Sequence, residues 1–305
     1  MRIGVVINPI SGSPRRRARS ALDRAALAQR VAARRGVAEL EAVVTTARGH
    51  AADLARGFVA RQFDVVIAWG GDGTANEVAG PLIGTATALG IIPRGSGDGF
   101  AHGLGLPFDV DAALVAAIER PSVSVDVGYL GTRHFLNVAS VGFDAAVALA
   151  FEAAAGRRGV LGYVHHALQQ VWSYRAESYG LTLDGRPADG CFFLVAFANG
   201  REYGARMLLA ADADIRDGWL DAVLLDDGPV WRQFWRARRL GFGMRRPAEG
   251  IHRVRVQTAT VAAPHLACQV DGEPFDAAGA VDVRIAPRAL RVAGLEITPA
   301  RLNPQ

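Results

Sequence analysis

Residues 69–80 read WGGDGTANEVAG, a composition suited to binding an anion. Four glycines (Gly70, Gly71, Gly73 and Gly80) surround Asp72 and Thr74 directly after an apolar, strand-like run at 65–69. A glycine-rich turn between a strand and a helix lets backbone N–H groups point at a phosphate. For this fragment alone the alternative is a tight turn with no ligand, because glycine is also the usual turn residue.

Three further loops at predicted strand ends carry the same residue types. They read NPISGSP at 8–14, TTARGHA at 45–51 and IPRGSGDGFA at 92–101. Ligands of an open parallel sheet lie beyond the carboxyl ends of its strands, so we expect the four loops to converge on one phosphate site. The sequence contains no Walker motif, and no G-x-G-x-x-G follows the first strand. Neither a P-loop nor a Rossmann dinucleotide site is therefore predicted.

The turn Asp271-Gly272-Glu273 is the second candidate for chemistry. A carboxylate within reach of a hydroxyl can act as a general base. Asp-Gly is also a common hairpin signal, and from these residues alone an ordinary acidic β-turn is the favoured interpretation.

The loops need a framework, and the first 120 residues supply alternating elements. Strand-like runs at 3–7, 40–45, 65–69 and 88–92 alternate with helix-like segments at 16–35, 50–61, 74–82 and 109–120. This alternation predicts an α/β domain with a parallel sheet over residues 1–122.

After Pro121 short strand-like runs dominate the sequence. They lie at 123–130, 135–139, 181–183, 191–198, 220–225, 254–258, 268–270, 281–285 and 290–292. These runs predict an antiparallel, all-β second domain over residues 123–305. Helical inserts are expected near 161–174 and 229–240.

Composition narrows the class of protein. The chain has 305 residues and a formal net charge of +4, which permits anionic partners without naming one. No apolar stretch approaches the roughly 18 residues of a membrane span, and the first residues do not resemble a secretory signal. Cys191 and Cys268 lie beside apolar residues and are expected to be buried free thiols. We expect a cytoplasmic protein.

Six motifs, in order along the chain, resemble those of the diacylglycerol kinase catalytic-domain family, which includes bacterial lipid kinases and sphingosine kinases. They are NPISG, GGDGTANEV, IPRGSGDGFAHGLGLP, FLNVASVGFDA, ADADIRDGWLD and QVDGEPF. The family is distantly related to NAD kinases. The resemblance implies an NAD kinase-like α/β domain followed by an antiparallel β-sandwich with helical inserts.

The resemblance also implies an ATP- and Mg²⁺-dependent lipid kinase. ATP would be held by Asn8, Pro9, Ser11, Gly12, Thr45, Gly70, Gly71, Asp72, Gly73, Thr74, Asn76, Glu77, Gly95 and Ser96. The catalytic residues would be Glu273, Asp271 and Asp72. Glu273 would be the general base, and Asp271 would hold a polar or metal-linked contact. Asp72 would lie among the phosphates, where a carboxylate needs Mg²⁺ beside it. Asp214, Asp217 and the backbone carbonyl of Trp219 would hold a second, structural Mg²⁺.

One departure from the family pattern bears on nucleotide binding. Asp98 stands where family members usually have asparagine. Its negative charge weakens the binding of phosphates unless a metal or Arg94 offsets that charge. A sphingoid-base kinase and a nucleotide- or lipid-binding module without turnover stay open as alternatives. An NAD kinase-like activity is disfavoured, because the DGE and RDGWLD motifs lie outside that resemblance.

The segment 230–246, VWRQFWRARRLGFGMRR, is the candidate for contact with a membrane that holds the lipid substrate. Trp231, Phe234, Trp235 and Arg238 fall at helical spacing, with Arg232, Arg236, Arg239, Arg245 and Arg246 around them. Aromatic and basic residues together suit an anionic surface at the inner face of the cell membrane. The alternative is that the aromatic side chains pack on the β domain. A homodimer is a further expectation, and no nucleic-acid partner is expected.

Overall fold

The computed structural model describes residues 1–12, 20–153, 172, 174–204, 207–241 and 248–296. The first part of the chain alternates strands and helices. The elements are β1 (Arg2–Ile7), α1 (Ala21–Ala33), β2 (Glu39–Val44), α2 (His50–Ala60), β3 (Val65–Gly70), α3 (Asp72–Leu82), β4 (Ala88–Pro93), α4 (Gly99–Gly103) and α5 (Val110–Glu119). Strands β1 to β4 pair in parallel in the order β2–β1–β3–β4.

Helices cover both faces of this parallel sheet, and the strands are apolar for that reason. The residues of β3 and β4 are buried along their whole length, as expected for strands covered on both sides. Phe58 and Leu82 lie in the core on one face, and Trp69 and Leu114 lie in the core on the other. Packing on both faces fixes the position of each strand in the sheet. It therefore also fixes the positions of the loops at the carboxyl ends of the strands.

The second part of the chain is mainly antiparallel. Its elements are β5 (Val123–Leu130), β6 (Arg133–Phe135), β7 (Val138–Gly142), α6 (Phe143–Ala153), β8 (Glu177–Leu183), β9 (Arg186–Pro187), β10 (Gly190–Ala198), β11 (Glu202–Gly204), β12 (Met207–Leu208), β13 (Leu220–Asp226), α7 (Val230–Gly241), β14 (Ile251–Val256), β15 (Thr258–Val270) and β16 (Glu273–Val292). Alternate residues of β10 face two different cores, with Val195 and Phe197 in one and Ala196 and Ala198 in the other.

The predicted helical inserts have different outcomes. The insert near 229–240 is α7. The insert near 161–174 lies outside the described residues except for positions 172 and 174, as do residues 16–19 of the first predicted helix. No helix within the described ranges is long and apolar enough to cross a membrane.

Strands that follow residue 122 complete the core of the first domain. Val125 and Val127 of β5 lie in the same apolar cluster as Leu82, together with Val292 of β16. Val292 also pairs in parallel with Leu89 of β4. The predicted strands at 281–285 and 290–292 are thus parts of one long strand, which runs from the second domain back to the first. The domain boundary at residue 122 stays a prediction.

The expectation that both cysteines are buried is wrong for Cys191. Cys268 is buried on β15, whereas Cys191 is exposed near the start of β10. An apolar neighbour in sequence does not bury a strand residue, since successive side chains point to opposite faces.

Cys191 alone should react with Ellman's reagent in the folded protein at mildly alkaline pH. The thiolate is the reactive form, and burial raises the pKa of Cys268 to about 12. Both thiols should titrate after denaturation in guanidinium, and Cys191→Ser should abolish the reaction of the native protein. Two thiols titrating in the native state would contradict the burial of Cys268.

Candidate active site

The loops after β3 and β4 touch backbone to backbone, and glycine makes this approach feasible. A Cβ atom on Gly71 would lie 2.9 Å from the Cα of Gly95, and one on Gly70 would overlap the side chain of Thr74. The N–H of Arg94 donates to the carbonyl of Gly70 at 2.7 Å. The two loops therefore form one surface lined by main chain.

The loop after β1 joins the same edge of the sheet. The Nδ2 of Asn8 donates to the Oγ1 of Thr74 at 2.9 Å. The carbonyl of Asn8 accepts from Ser11 Oγ at 2.9 Å and from Arg24 Nη1 at 3.0 Å. Arg24 is buried and places a positive charge behind this loop. Sequence reasoning missed it, although a basic residue beside Leu27 and Ala28 on the apolar face of a helix was a readable signal.

The predicted nucleotide-binding residues therefore lie at four strand ends, those of β1, β2, β3 and β4. Pro9, Ser11 and Gly12 follow β1, and Gly95 and Ser96 follow β4. Thr45 lies at the end of β2, where its N–H donates to the carbonyl of Ile7 at 2.9 Å.

Asp72 is the first residue of α3, and its carboxylate faces the loop after β4. It accepts hydrogen bonds from the N–H groups of Gly99 at 3.1 Å and Phe100 at 3.2 Å. Burial raises the pKa of Asp72, and these N–H donors oppose that rise only in part. The main-chain donors thus offset only part of the cost of desolvating this carboxylate.

Glu77 has a structural partner at a helix terminus. Its two carboxylate oxygens accept from the N–H groups of Gly49 at 3.0 Å and Ala51 at 3.3 Å. Gly49 is the N-cap of α2 and has no side chain with which to cap it, so Glu77 caps that helix from α3. A contact between Glu77 and ATP stays a prediction.

Asp271 connects the second domain to the first. Its Oδ1 accepts from the N–H groups of Asn137 at 2.9 Å and Val138 at 3.0 Å. Its Oδ2 accepts from the N–H of Leu136 at 2.7 Å and from Nδ2 of Asn76, on α3, at 2.8 Å. Four donors saturate this carboxylate, so in this structure Asp271 positions the turn between β15 and β16.

Glu273 is held over the glycine-rich loop by that turn. Its Oε1 lies 3.4 Å from where a Cβ atom on Gly73 would be, and its Oε2 pairs with Arg48, which follows β2. The side chain of Glu273 remains 38% exposed. The structure thus brings the proposed base from the second domain to the GGDGT loop of the first, with open space beside the carboxylate.

A buried polar network supports this turn from behind. Gln269 donates from Nε2 to Ser140 Oγ at 2.8 Å and to Asp144 Oδ2 at 2.9 Å, and its Oε1 accepts from the N–H of Gly272 at 2.7 Å. The Ser140 hydroxyl donates to Asp144 at 2.6 Å. Sequence reasoning did not assign these residues. Their signal was polar side chains inside two otherwise apolar strand motifs.

The predicted second magnesium site contains arginine instead. Asp217 pairs through Oδ2 with Arg255 and accepts from the N–H of Trp219 at 3.0 Å, and Asp214 accepts from the N–H of Arg216 at 3.1 Å. Burial still raises the pKa of Asp217, since Arg255 offsets only part of the desolvation. Within the described ranges no group of three or more His, Cys, Asp or Glu could hold a metal. Asp217 is thus paired with Arg255 in this structure, and the second Mg²⁺ stays a prediction.

Family models match both parts of the chain. The diacylglycerol kinase catalytic domain matches residues 2–130. The YegS C-terminal NAD kinase beta sandwich-like domain matches residues 137–294, and this second range alone is just over half of the chain. The chain belongs to the family defined by the YegS C-terminal domain. Its residues 2–130 match the diacylglycerol kinase catalytic domain, so the predicted resemblance is confirmed.

Curated relatives in this family are named probable lipid kinase YegS-like. The protein from Chromohalobacter salexigens is 39% identical over 165 residues, which cover 52% of this chain and 53% of the relative. The protein from Yersinia enterocolitica is 29% identical over 241 residues, covering 76% and 79%. The chain spans about half the length of the first of these relatives and 79% of the length of the second.

A solved structure shares the fold. The crystal structure of a diacylglycerol kinase from Bacillus anthracis superposes with a TM-score of 0.73 at 18% identity, covering 95% of this chain and 96% of that one. At this identity the likeness concerns the fold alone.

Proposed function

We propose that the protein is an ATP-dependent lipid kinase that transfers the γ-phosphate of ATP to the hydroxyl of a diacylglycerol-like lipid. The observation that carries this proposal is the position of Glu273 over Gly73. It places a carboxylate beside the glycine-rich GGDGT loop, which is suited to binding phosphate. The names of the relatives support a lipid as acceptor. A location at the inner face of the cell membrane and a homodimer remain predictions.

The close approach of two glycine loops supports a phosphate ligand. A Cβ atom on Gly95 would lie 2.8 Å from the Cα of Gly71, so side chains are excluded where these two loops meet. Backbone N–H groups in such loops can contact phosphate oxygens. Asp72, whose carboxylate faces the loop after β4, is the residue that would hold Mg²⁺. When bound, Mg²⁺ would neutralise charge on the phosphates.

Glu273 would take the proton of the acceptor hydroxyl while the lipid oxygen bonds to the γ-phosphorus. The bond from that phosphorus to the bridging oxygen breaks, and ADP leaves. Asp271 fixes the turn that carries the base, and Gln269 supports it through Gly272. Arg48 contributes a positive charge on the open side of the site. Positioning and charge neutralisation are the main demands of phosphoryl transfer.

The test is transfer of labelled γ-phosphate from Mg-ATP to lipids in mixed micelles. The panel contains diacylglycerol, phosphatidylglycerol, ceramide and sphingosine, with NAD as a soluble control. Label in diacylglycerol is the expected result, and label in sphingosine alone would identify a sphingoid-base kinase. Label in NAD alone would overturn the lipid proposal. Measured ATP binding without transfer to any acceptor would indicate a binding module.

Asp98→Asn should strengthen Mg-ATP binding about fivefold, or ~1 kcal/mol, because it removes a like charge near the phosphates. Asp98 is buried in the left-handed region at φ 45°, and its Oδ1 accepts from the N–H of Gly95 at 2.8 Å. Asparagine tolerates that conformation and keeps that acceptor, so the loop should persist.

Isothermal titration calorimetry measures this effect. The control is Asp109→Asn, which changes the N-cap of α5, where Asp109 accepts from the N–H of Ala112. That variant should bind Mg-ATP as the unmodified protein does. Weaker binding by Asp98→Asn would show that the charge at position 98 assists the site.

A further inference from the structure

Helix α7 (Val230–Gly241) is oriented with its aromatic side chains outward. Trp231 is 61% exposed, Trp235 is 62% exposed and Phe234 is 46% exposed, whereas Gln233 and Arg236 are 4% and 6% exposed. A surface helix ordinarily buries its apolar stripe and exposes its polar one. The alternative considered from the sequence, in which these aromatic residues pack on the β domain, is not what the structure shows.

Hydrogen bonds from the buried polar residues fix this orientation. Gln233 Nε2 and Arg236 Nη1 both donate to the carbonyl of Asp226, at 3.0 and 2.6 Å. Arg236 Nε also donates to the carbonyl of Glu249 at 3.3 Å. A Cβ atom on Gly250 would overlap the Arg236 guanidinium, so a glycine leaves room for it. Rotating the helix to bury its tryptophans would leave these buried donors and acceptors unpaired.

The three exposed aromatic residues form one stripe, the aromatic ridge (Trp231, Phe234 and Trp235). They occupy positions i, i+3 and i+4, which adjoin on a helix. A contiguous exposed apolar patch on a soluble domain marks a contact surface. Tryptophan in particular is enriched at membrane interfaces, where its ring is partly in the apolar region and partly in water.

The charge around the ridge is mainly positive, although the exposed carboxylate of Glu249 lies 3.9 Å from Arg232. The sequence of α7, VWRQFWRARRLG, contains four arginines and no acidic residue. The Arg232 guanidinium lies 5.2 Å from the ring centroid of Trp231, and Arg238 is exposed beyond the ridge. Basic residues near an anionic leaflet are attracted to it. The combination matches an anionic lipid surface in both charge and apolar character.

We propose that the aromatic ridge and its flanking arginines dock the protein on an anionic lipid bilayer. Docking is independent of the proposed kinase activity, because it requires neither nucleotide nor transfer. On a bilayer the ridge would lie at the headgroup level, with the arginines against the phosphates.

The test is co-sedimentation of the full chain, without nucleotide, with phosphatidylcholine vesicles that contain or lack phosphatidylglycerol. We expect binding to the anionic vesicles only. The double variant Trp231→Ala/Trp235→Ala should lower the partition coefficient about tenfold or more, since it removes most of the ridge. Leu22→Ala is the matched control, because Leu22 is an 80% exposed apolar residue on α1. It should bind as the unmodified protein does.

Two outcomes would overturn the proposal: equal binding by the double variant, or no binding of the unmodified protein to anionic vesicles. A self-association surface is the other occupant to be distinguished. In that case the unmodified protein would sediment as a dimer and would not bind vesicles. If the double variant abolished that dimer, the ridge would be assigned to a second copy of the chain.

Transfer to a short-chain diacylglycerol below its micellar concentration should survive in the double variant. Vesicle binding without any transfer would refute the kinase and leave the docking surface standing.

Discussion

Glu273→Gln should lower the rate of phosphate transfer by roughly 10²–10⁴ while ATP affinity stays nearly unchanged. Glutamine preserves the volume of the side chain but cannot accept the proton of the acceptor hydroxyl. The carboxylate belongs to the β15–β16 turn and lies over Gly73, so its loss should leave the glycine-rich loops intact. Single-turnover kinetics with bound ATP, together with calorimetric ATP titration, measure the two quantities separately.

A matched control is Glu41→Gln. Glu41 is also a partly exposed glutamate in an ion pair, with Arg61 at 2.6 Å, and exposed pairs contribute little to stability. This variant should transfer phosphate at the unmodified rate. If Glu273→Gln lost its ATP affinity and kept its rate on bound ATP, Glu273 would be a structural residue.

Asp271→Ala should lower the free energy of unfolding by about 3 kcal/mol or more. The substitution leaves the buried N–H groups of Leu136, Asn137 and Val138 without their acceptor, and each such group costs about 1–3 kcal/mol. It also frees Asn76, the partner on α3. Since the same turn carries Glu273, the transfer rate should fall with stability. Urea denaturation followed by fluorescence measures the first effect.

Asp184→Ala provides a closely matched comparison. Asp184 also precedes a glycine in a hairpin turn, with φ 46° against 48° for Asp271, so the strain of alanine in the left-handed region is common to both. Asp184 Oδ1 accepts from the N–H groups of Gln257 and Thr258, both at an exposed site. The loss at Asp184 should be smaller by at least about 2 kcal/mol. Equal losses of unfolding free energy in the two variants would show that the hydrogen bonds from Asp271 to α3 and to residues 136–138 add no stability beyond that of an exposed turn.

The sequence predicted the parts of the site that follow from strand periodicity and glycine content. The loops after β1, β3 and β4 meet as expected, because parallel strands end at one edge and Gly70 and Gly71 permit close approach. The role of Asp271 was not readable in this way. Its four partners depend on how the second domain sits against α3, which local pattern does not encode.

The direction in which side chains point was the second feature that could not be predicted from the sequence. The spacing in α7 predicts a helix with an aromatic stripe, but not which face packs inward. The buried face is decided by the carbonyls of Asp226, at the end of β13, and Glu249, just before β14. Arg48 and Glu77 show the same limit. Their partners Glu273 and Gly49 are distant in sequence, so neither a pair nor a cap could be assigned from residue type.

The path of β16 has a consequence for the order in which the molecule is built. Arg288 donates to Asp126, 162 residues earlier, and Arg120 donates to the carbonyl of Gly294 across 174 residues. Leu290, Val292 and Leu295 belong to the core of the α/β domain, yet they are synthesised after the antiparallel strands that separate them from β1–β4. Contacts this distant along the chain make folding slow. The core of the first domain is thus completed only by residues that follow the whole second domain, and a nascent chain that ends before Leu290 lacks part of that core.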